Sequence, residues 1–291
     1  MKIKPPARHK RITLVGDEGM LWRTILIGAG ILALIIVLIV VSRPEPQLMS
    51  SLEIQSVEER GILRVGVRED VPKLSDDGEG IEVALAQLLA KRMLPHLPGE
   101  SAVKLVTVSS ATAGARLDDA SIDAAIALLE KDASPKYLYS DAYYQEPARF
   151  LVREGMESDP IHNITVGCIQ ASPWMSSSSG DKLPSAGQKL LTAYVEAHPS
   201  DGIAIKTFAS YDDLLTALQN GTIGAAVMTD LYMNMYRESY TFSVSPAVLG
   251  NVEYAMAVST DSPAFIQLFN LMLSEMKADG SLLALYREHG L

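Results

Sequence analysis

The chain has 291 residues, a formal net charge of −10 at pH 7 and a single cysteine, Cys168. One cysteine excludes an intrachain disulfide and a cysteine-rich metal site, and the acidic balance disfavours nucleic acid as a partner. The length is sufficient for a fold of two lobes.

A long apolar segment lies near the N-terminus. Residues 24–41 read TILIGAGILALIIVLIVV, which is long enough to cross a bilayer as a helix. Residues 1–23 carry six Lys/Arg against Asp17 and Glu18, and this charge predicts a cytoplasmic tail. A cleaved signal peptide is the alternative, but the following VVSRPEPQ has no small-residue cleavage site. We therefore expect a retained single-pass anchor in the cell membrane, with the remaining residues outside the cytoplasm.

The next segment, 42–59, is predicted to be a linker. RPEPQ lies near its start, at 43–47, and the prolines there favour extended backbone. It continues as SLEIQSVEER, for which we expect at most a short spacer helix. The folded part would then begin at residue 60.

Strands and helices alternate in a first unit after the linker. The segment LRVGV is typical of a buried strand, and GIEVALAQLLAKRM has the apolar spacing of an amphipathic helix. The strands are predicted at 63–67, 103–108, 124–128 and 150–153, and the helices at 80–93 and 113–119. The last of these strands leads out of the unit.

A second unit of the same kind follows. Its strands are predicted at 164–169, 203–208 and 225–228, and its helices at 185–197, 211–219 and 231–238. One more strand is expected at 253–259, and helices at 263–287 are broken near Ala278, Asp279 and Gly280. Two alternating units indicate an α/β protein with two lobes.

Five segments resemble a known family: GILRVGVRED, GIEVALAQLLAKRM, SDAYYQEPARFLVRE, SYDDLLTALQNGTIGAAVMTD and MKADGSLLALYREHG. In this order they are similar to the extracytoplasmic solute-binding proteins of amino-acid-type ABC transporters, family 3. That family has the type II periplasmic-binding-protein fold. The resemblance covers nearly all of residues 60–291.

The resemblance implies two lobes joined by two crossing strands, with ligand held in the cleft between them. The crossing strands would be 150–153 and 254–259. Lobe one would comprise 60–150 and 260–291, and lobe two would comprise 151–259 with the hinge strands. Closure of such a cleft is a hinge motion that encloses the ligand.

The resemblance also points to site residues in the first lobe, where this chain departs from the family. Members that bind amino acids hold the α-carboxylate with an arginine before the S-D-x-Y-Y stretch. Here the segment begins with Glu130 and Lys131, which are candidate ligand-binding residues, and it contains Lys136 but no arginine. These lysines are either ligand contacts or solvated surface residues. Glu82 stands at the family's acidic G-F-D position, or it occupies the first turn of a helix.

In the second lobe the family meets the ligand's ammonium with an acid after a strand. Asp230 follows AAVMT one place late, so either Thr229 or Asp230 occupies that position, and Asp230 could instead cap the next helix. The resemblance also places Ser172 and Trp174 at a ligand-binding turn before a helix, where free N–H groups would donate hydrogen bonds to an anion. Trp174 either stacks on the ligand or is simply partly buried.

No enzyme is expected, because the five histidines are scattered and nucleophile, phosphate-loop and dinucleotide motifs are absent. We expect no cofactor and no metal. The predicted function is a membrane-anchored solute-binding protein that captures a small polar solute, an amino acid or a related compound, for the permease subunits of an ABC importer. We expect the ligand to be neutral or cationic, or to have its carboxylate held by helix N–H groups near Ser172. The alternative is a sensory or regulatory domain with a degenerate site.

Overall fold

The computed structural model describes residues 48–109, 112–157, 160–170 and 183–291. Its strands, in chain order, are β1 (Leu63–Val67), β2 (Asp70–Val71), β3 (Ser75–Asp76), β4 (Val103–Thr107), β5 (Ala124–Ala125), β6 (Tyr137–Tyr139), β7 (Tyr144–Val152), β8 (Thr165–Ile169), β9 (Ala204–Phe208), β10 (Ala225–Thr229), β11 (Ser243–Tyr254) and β12 (Ala257–Ser259). Its helices are α1 (Leu52–Arg60), α2 (Ile81–Met93), α3 (Gly99–Ala102), α4 (Ala113–Asp118), α5 (Ala186–Ala197), α6 (Tyr211–Gln219), α7 (Asp230–Tyr236), α8 (Pro263–Asp279) and α9 (Ser281–Glu288).

The first lobe is built on a sheet with the strand order β4-β1-β5-β12-β6. β1 pairs in parallel with β4 and β5, whereas β12 runs antiparallel to β5 and β6. Nearly all of β1 is buried, as expected for an apolar strand inside a parallel sheet. Helices α2 and α8 pack on this sheet and bury side chains such as Leu85 and Leu268.

Helix α1 belongs to the first lobe, although the sequence predicts a linker over 42–59. Ile54 and Val57 are fully buried, and the Glu53 carboxylate accepts the backbone N–H of Ala264 at 2.7 Å. That N–H lies in the first turn of α8, where a carboxylate satisfies an otherwise free donor and the helix dipole. The segment is therefore packed core rather than a spacer, while 42–47 lie outside the described residues.

The second lobe is built on a sheet with the strand order β11-β7-β10-β8-β9. β7 is antiparallel to β10 and β11, and β8 is parallel to β10 and β9. Helices α5, α6 and α7 pack on this sheet. Each lobe thus combines one sheet with its own helices, which confirms the predicted two-lobed α/β fold.

The chain crosses between the two sheets twice. The first crossing lies between the end of β6 at Tyr139 and the start of β7 at Tyr144, and the second lies between Tyr254 and Ala257. The predicted crossing at 254–259 includes the second passage. The predicted crossing at 150–153 is displaced, because those residues end β7 deep in the second sheet, opposite β10.

The displaced crossing has a physical cause in β11. β7 is extended toward the first lobe by its pairing with β11, which runs for 12 residues and places Tyr144 opposite Tyr254. The β11 sequence SVSPAVLGNVEY contains a proline and a glycine, and its register shifts near Val248. Such a strand lacks the regular alternation by which strands are recognised in a sequence.

Within the described residues, no helix is both long enough and apolar enough to span a membrane. The predicted transmembrane helix at 24–41 and the predicted cytoplasmic tail at 1–23 lie outside the described residues.

Candidate ligand-binding cleft

A cavity of about 290 Å³ lies between the two lobes. The residues that line it follow the carboxyl ends of strands: Arg68 comes directly after β1, Thr229 ends β10, and Ile169 ends β8. The carboxyl edge is where α/β sheets place ligands, because the loops there diverge and leave a crevice. The other lining residues are Asp70, Leu128, Glu130, Ala148, Ser185, Gly187, Ala209, Ser210, Tyr211, Val227, Met228, Tyr232, Met235, Tyr236, Val252 and Tyr254.

Arg68 is the cation at the first-lobe wall of this cavity, and it is only 9% exposed. Its guanidinium donates to both carboxylate oxygens of Asp70, from Nε at 2.7 Å and from Nη2 at 2.8 Å. Its Nη1 donates across the cleft to the Tyr232 hydroxyl at 3.1 Å. Burial alone would lower the pKa of Arg68, but Asp70 and Tyr232 outweigh burial and raise it. The same guanidinium lowers the pKa of Asp70.

Glu130 makes a second contact across the cleft. Its Oε2 accepts the backbone N–H of Ala186 at 2.7 Å, and Ala186 is the first residue of α5 in the second lobe. Burial raises the pKa of Glu130, whereas the Ala186 N–H and the charge of Lys189 act to lower it. The free N–H groups at the start of a helix favour a carboxylate at this position. The contact therefore holds the two lobes together.

Tyrosine rings form much of the second-lobe wall. Tyr211 and Tyr232 are stacked with ring centroids 4.6 Å apart, and Tyr236 lies 5.6 Å from Tyr211. Tyr254, at the end of β11, also lines the cavity. The aromatic residues of the cavity thus come from α6, α7 and β11.

Glu146 supports this wall from behind. Its buried carboxylate accepts the Leu231 N–H at 2.6 Å and the Tyr254 hydroxyl at 2.9 Å. Burial raises the pKa of Glu146, and these hydrogen bonds oppose the rise. The interaction ties the start of α7 to β7 and β11, so that it fixes Tyr232 and Tyr254 relative to one another.

Two of the predicted second-lobe residues lie in the described part of the chain, at the end of β10 and the start of α7. Thr229 lines the cavity, whereas Asp230 does not. The Asp230 carboxylate is 44% exposed and accepts from Arg149 Nε at 3.1 Å. Ser172 and Trp174 lie outside the described residues.

The predicted first-lobe residues are similarly divided. Glu130 lines the cavity, but the neighbouring Lys131 points to a separate surface groove, where its Nζ lies 3.7 Å from Glu253. Lys136 is paired with Asp118. Arg68 was not among the predicted site residues, although a charged residue directly after a buried parallel strand is itself a signal of a cleft position.

Glu82 lies beneath the cavity rather than in it. Its fully buried carboxylate accepts the Leu128 N–H at 2.7 Å and the Tyr143 hydroxyl. Burial raises the pKa of Glu82 to about 7, and the hydrogen bonds from Tyr143 and Leu128 limit the rise. Because Leu128 is two residues from Glu130, Glu82 positions the loop that carries the cavity's acid.

The geometry suits the binding of a small molecule, because two lobes enclose a small cavity with a few polar groups and several aromatic rings. Among the described residues, no cluster of three or more His, Cys, Asp or Glu side chains could hold a metal ion.

Solved structures with the same fold cover most of this chain. A mutant of ArgBP from T. maritima is 21% identical, with a TM-score of 0.56, over 81% of this chain and 98% of that one. A solute receptor for L-cysteine of Neisseria gonorrhoeae is 20% identical, with a TM-score of 0.55, over 82% of this chain and 93% of that one. An amino acid ABC transporter substrate-binding protein from Streptococcus pneumoniae, bound to L-arginine, is 14% identical, with a TM-score of 0.54, over 82% and 98%.

A family model matches this chain over a much longer stretch than any single sequence motif. The model of the family described as "Bacterial extracellular solute-binding proteins, family 3" matches residues 63–291, which is most of the chain and includes both lobes. This family consists of binding proteins rather than enzymes, in agreement with the prediction from the sequence. The chain therefore belongs to the bacterial extracellular solute-binding proteins, family 3.

Proposed function

We propose that this chain is the extracytoplasmic binding component of an ABC importer and captures a small polar solute, an amino acid or a related compound. The observation that carries this proposal is the cavity between the lobes, to which both lobes contribute side chains. The similar structures from Streptococcus pneumoniae and Neisseria gonorrhoeae, which are bound to L-arginine and named for L-cysteine, support it.

Binding in such a cleft is coupled to closure. The contacts of Arg68 with Tyr232 and of Glu130 with Ala186 exist only while the lobes are together, because each joins one lobe to the other. A solute that touches both walls adds to these contacts and shifts the population toward the closed form. The permease subunits would recognise that closed form.

A ligand for the cleft is expected to raise the melting temperature of the full chain, purified in detergent. At a hundredfold excess over Kd, the stabilisation is about 2.7 kcal/mol, which corresponds to roughly 5 to 10 °C for lobes of this size. A thermal-shift screen of amino acids, amines, small peptides and organic acids checks this. An unchanged melting temperature with every class would contradict solute capture and would favour the sensory or regulatory alternative.

We further propose that residues 24–41 anchor the chain in the cell membrane, with the tail at 1–23 in the cytoplasm. The length of the apolar run and the basic residues before it support this arrangement. The full-length chain is expected to stay in the membrane fraction after carbonate washing, and its lobes should be cleaved by protease added from outside. Recovery of a shortened, soluble chain would instead support cleavage of a signal peptide.

A further inference from the structure

Two carboxylate-binding groups in the described part of the cleft each already bind a carboxylate from the protein. The Arg68 guanidinium is engaged by both oxygens of Asp70. The N–H of Ala186, at the start of α5, is engaged by Oε2 of Glu130. A ligand carboxylate that used either group would have to displace the acid already bound there or lie beside it.

The other cationic side chains near the cavity are not placed to pair with a ligand carboxylate. Lys189 is exposed on α5 and affects Glu130 only through space. Arg149 is paired with Asp230 and does not line the cavity. In the cavity wall described here, one guanidinium therefore faces two carboxylates, so a third carboxylate would be both desolvated and repelled.

The remaining surface favours a cation. Among the contacts described, Glu130 uses only Oε2 to accept a hydrogen bond, so Oε1 is available to a ligand donor. The rings of Tyr211, Tyr232, Tyr236 and Tyr254 line the same cavity, and aromatic faces attract cations in a desolvated site. The volume of about 290 Å³ restricts the ligand to a small one.

We propose that the cleft binds a small organic cation that lacks a carboxylate, such as an amine or a guanidine, with Glu130 as its counter-ion. The inference rests on the proposed function, in which the cleft captures a solute. Glu130 is then a specificity-determining residue: Oε2 holds the lobes together through Ala186, and Oε1 accepts from the cation. Because the hydrogen bond from Ala186 already fixes the Glu130 carboxylate, ligand binding does not have to pay the entropy of ordering that side chain.

Matched pairs that differ only in the carboxylate test this inference. Isothermal titration of the full chain in detergent at pH 7.5 would compare agmatine with L-arginine and cadaverine with L-lysine. We expect the decarboxylated member of at least one pair to bind ten or more times tighter. Equal or tighter binding of the amino acids, or binding of only a neutral or anionic solute from the screen, overturns the inference and leaves solute capture standing. No binding by any compound overturns both.

A variant assigns the preference to Glu130. In Glu130→Gln the amide oxygen can still accept from Ala186, so the contact between the lobes is kept while the negative charge is lost. The affinity for the preferred cation is expected to fall at least tenfold, and the preference over the matching amino acid is expected to shrink. Glu253→Gln is the control, because this exposed acid lies beside Lys131 in a different groove. An equal loss in both variants, or none in Glu130→Gln, would contradict the role of Glu130.

Discussion

Replacing Gly80 with alanine is expected to reduce the free energy of unfolding by about 3 kcal/mol, because a side chain there collides with fixed backbone and strains φ. Gly80 has φ of +115°, and a Cβ atom would lie 2.4 Å from the carbonyl oxygen of Leu74. That carbonyl cannot move away without losing a hydrogen bond, since it accepts the N–H of Glu82 at 2.8 Å. Together with the carbonyl of Lys73, which accepts from Ile81, it caps the start of α2 in place of a side chain.

The matched control for Gly80 lies two residues earlier. Gly78 has φ of +80°, but a Cβ atom there meets nothing within 4 Å. Gly78→Ala should therefore lower the free energy of unfolding only through the strain of a positive φ, by about 1 kcal/mol. Thermal unfolding of the full chain, followed by circular dichroism, is expected to show a decrease of roughly 6 to 12 °C for Gly80→Ala and roughly 2 to 4 °C for Gly78→Ala. Equal decreases in melting temperature would show that the Leu74 carbonyl moves aside at little cost and that its hydrogen bond to the start of α2 is dispensable.

The second large effect is the pH dependence of stability caused by Glu82. The pKa of this carboxyl is raised to about 7 in the fold, chiefly by burial, above its ordinary value of about 4.3. The native state therefore holds a proton that the unfolded chain releases. Stability from the neutral carboxyl is fully present below pH 4.3 and is lost as the pH rises to 7, by on the order of 3 kcal/mol.

Glu82→Gln is neutral at every pH, so it is expected to become more stable relative to wild type as the pH rises from 4.5 to 8. The difference between the two melting temperatures should change by roughly 6 to 12 °C over this interval. The other buried acids, Glu130 and Glu146, are present in both proteins and cancel in the comparison. Glu79→Gln, at an exposed position in the preceding loop, is the control for removing one surface carboxyl. Parallel curves for wild type and Glu82→Gln would show that Glu82 does not titrate in this range.

The elements that could be predicted are those whose signal is local. β1 and α6 begin and end where the apolar pattern places them, and the break between α8 and α9 falls at Gly280, which has φ of +80°. Burial of a continuous apolar stripe or run decides such elements, and each is complete within a dozen residues. β11 was missed because its stability comes from pairing with β7 rather than from its own alternation.

The candidate site was predicted only in part, because its residues meet through the fold. The amino-acid sequence by itself determined the alternation of strands and helices, the excess of acid and the family to which the segments are similar. It also pointed to Glu130 and Thr229, which line the cavity. The tertiary structure alone decided that Arg68 meets Tyr232, 164 positions away, and that Glu130 meets the start of α5. Such contacts depend on how two lobes close over one another, and no periodicity within either lobe encodes that closure.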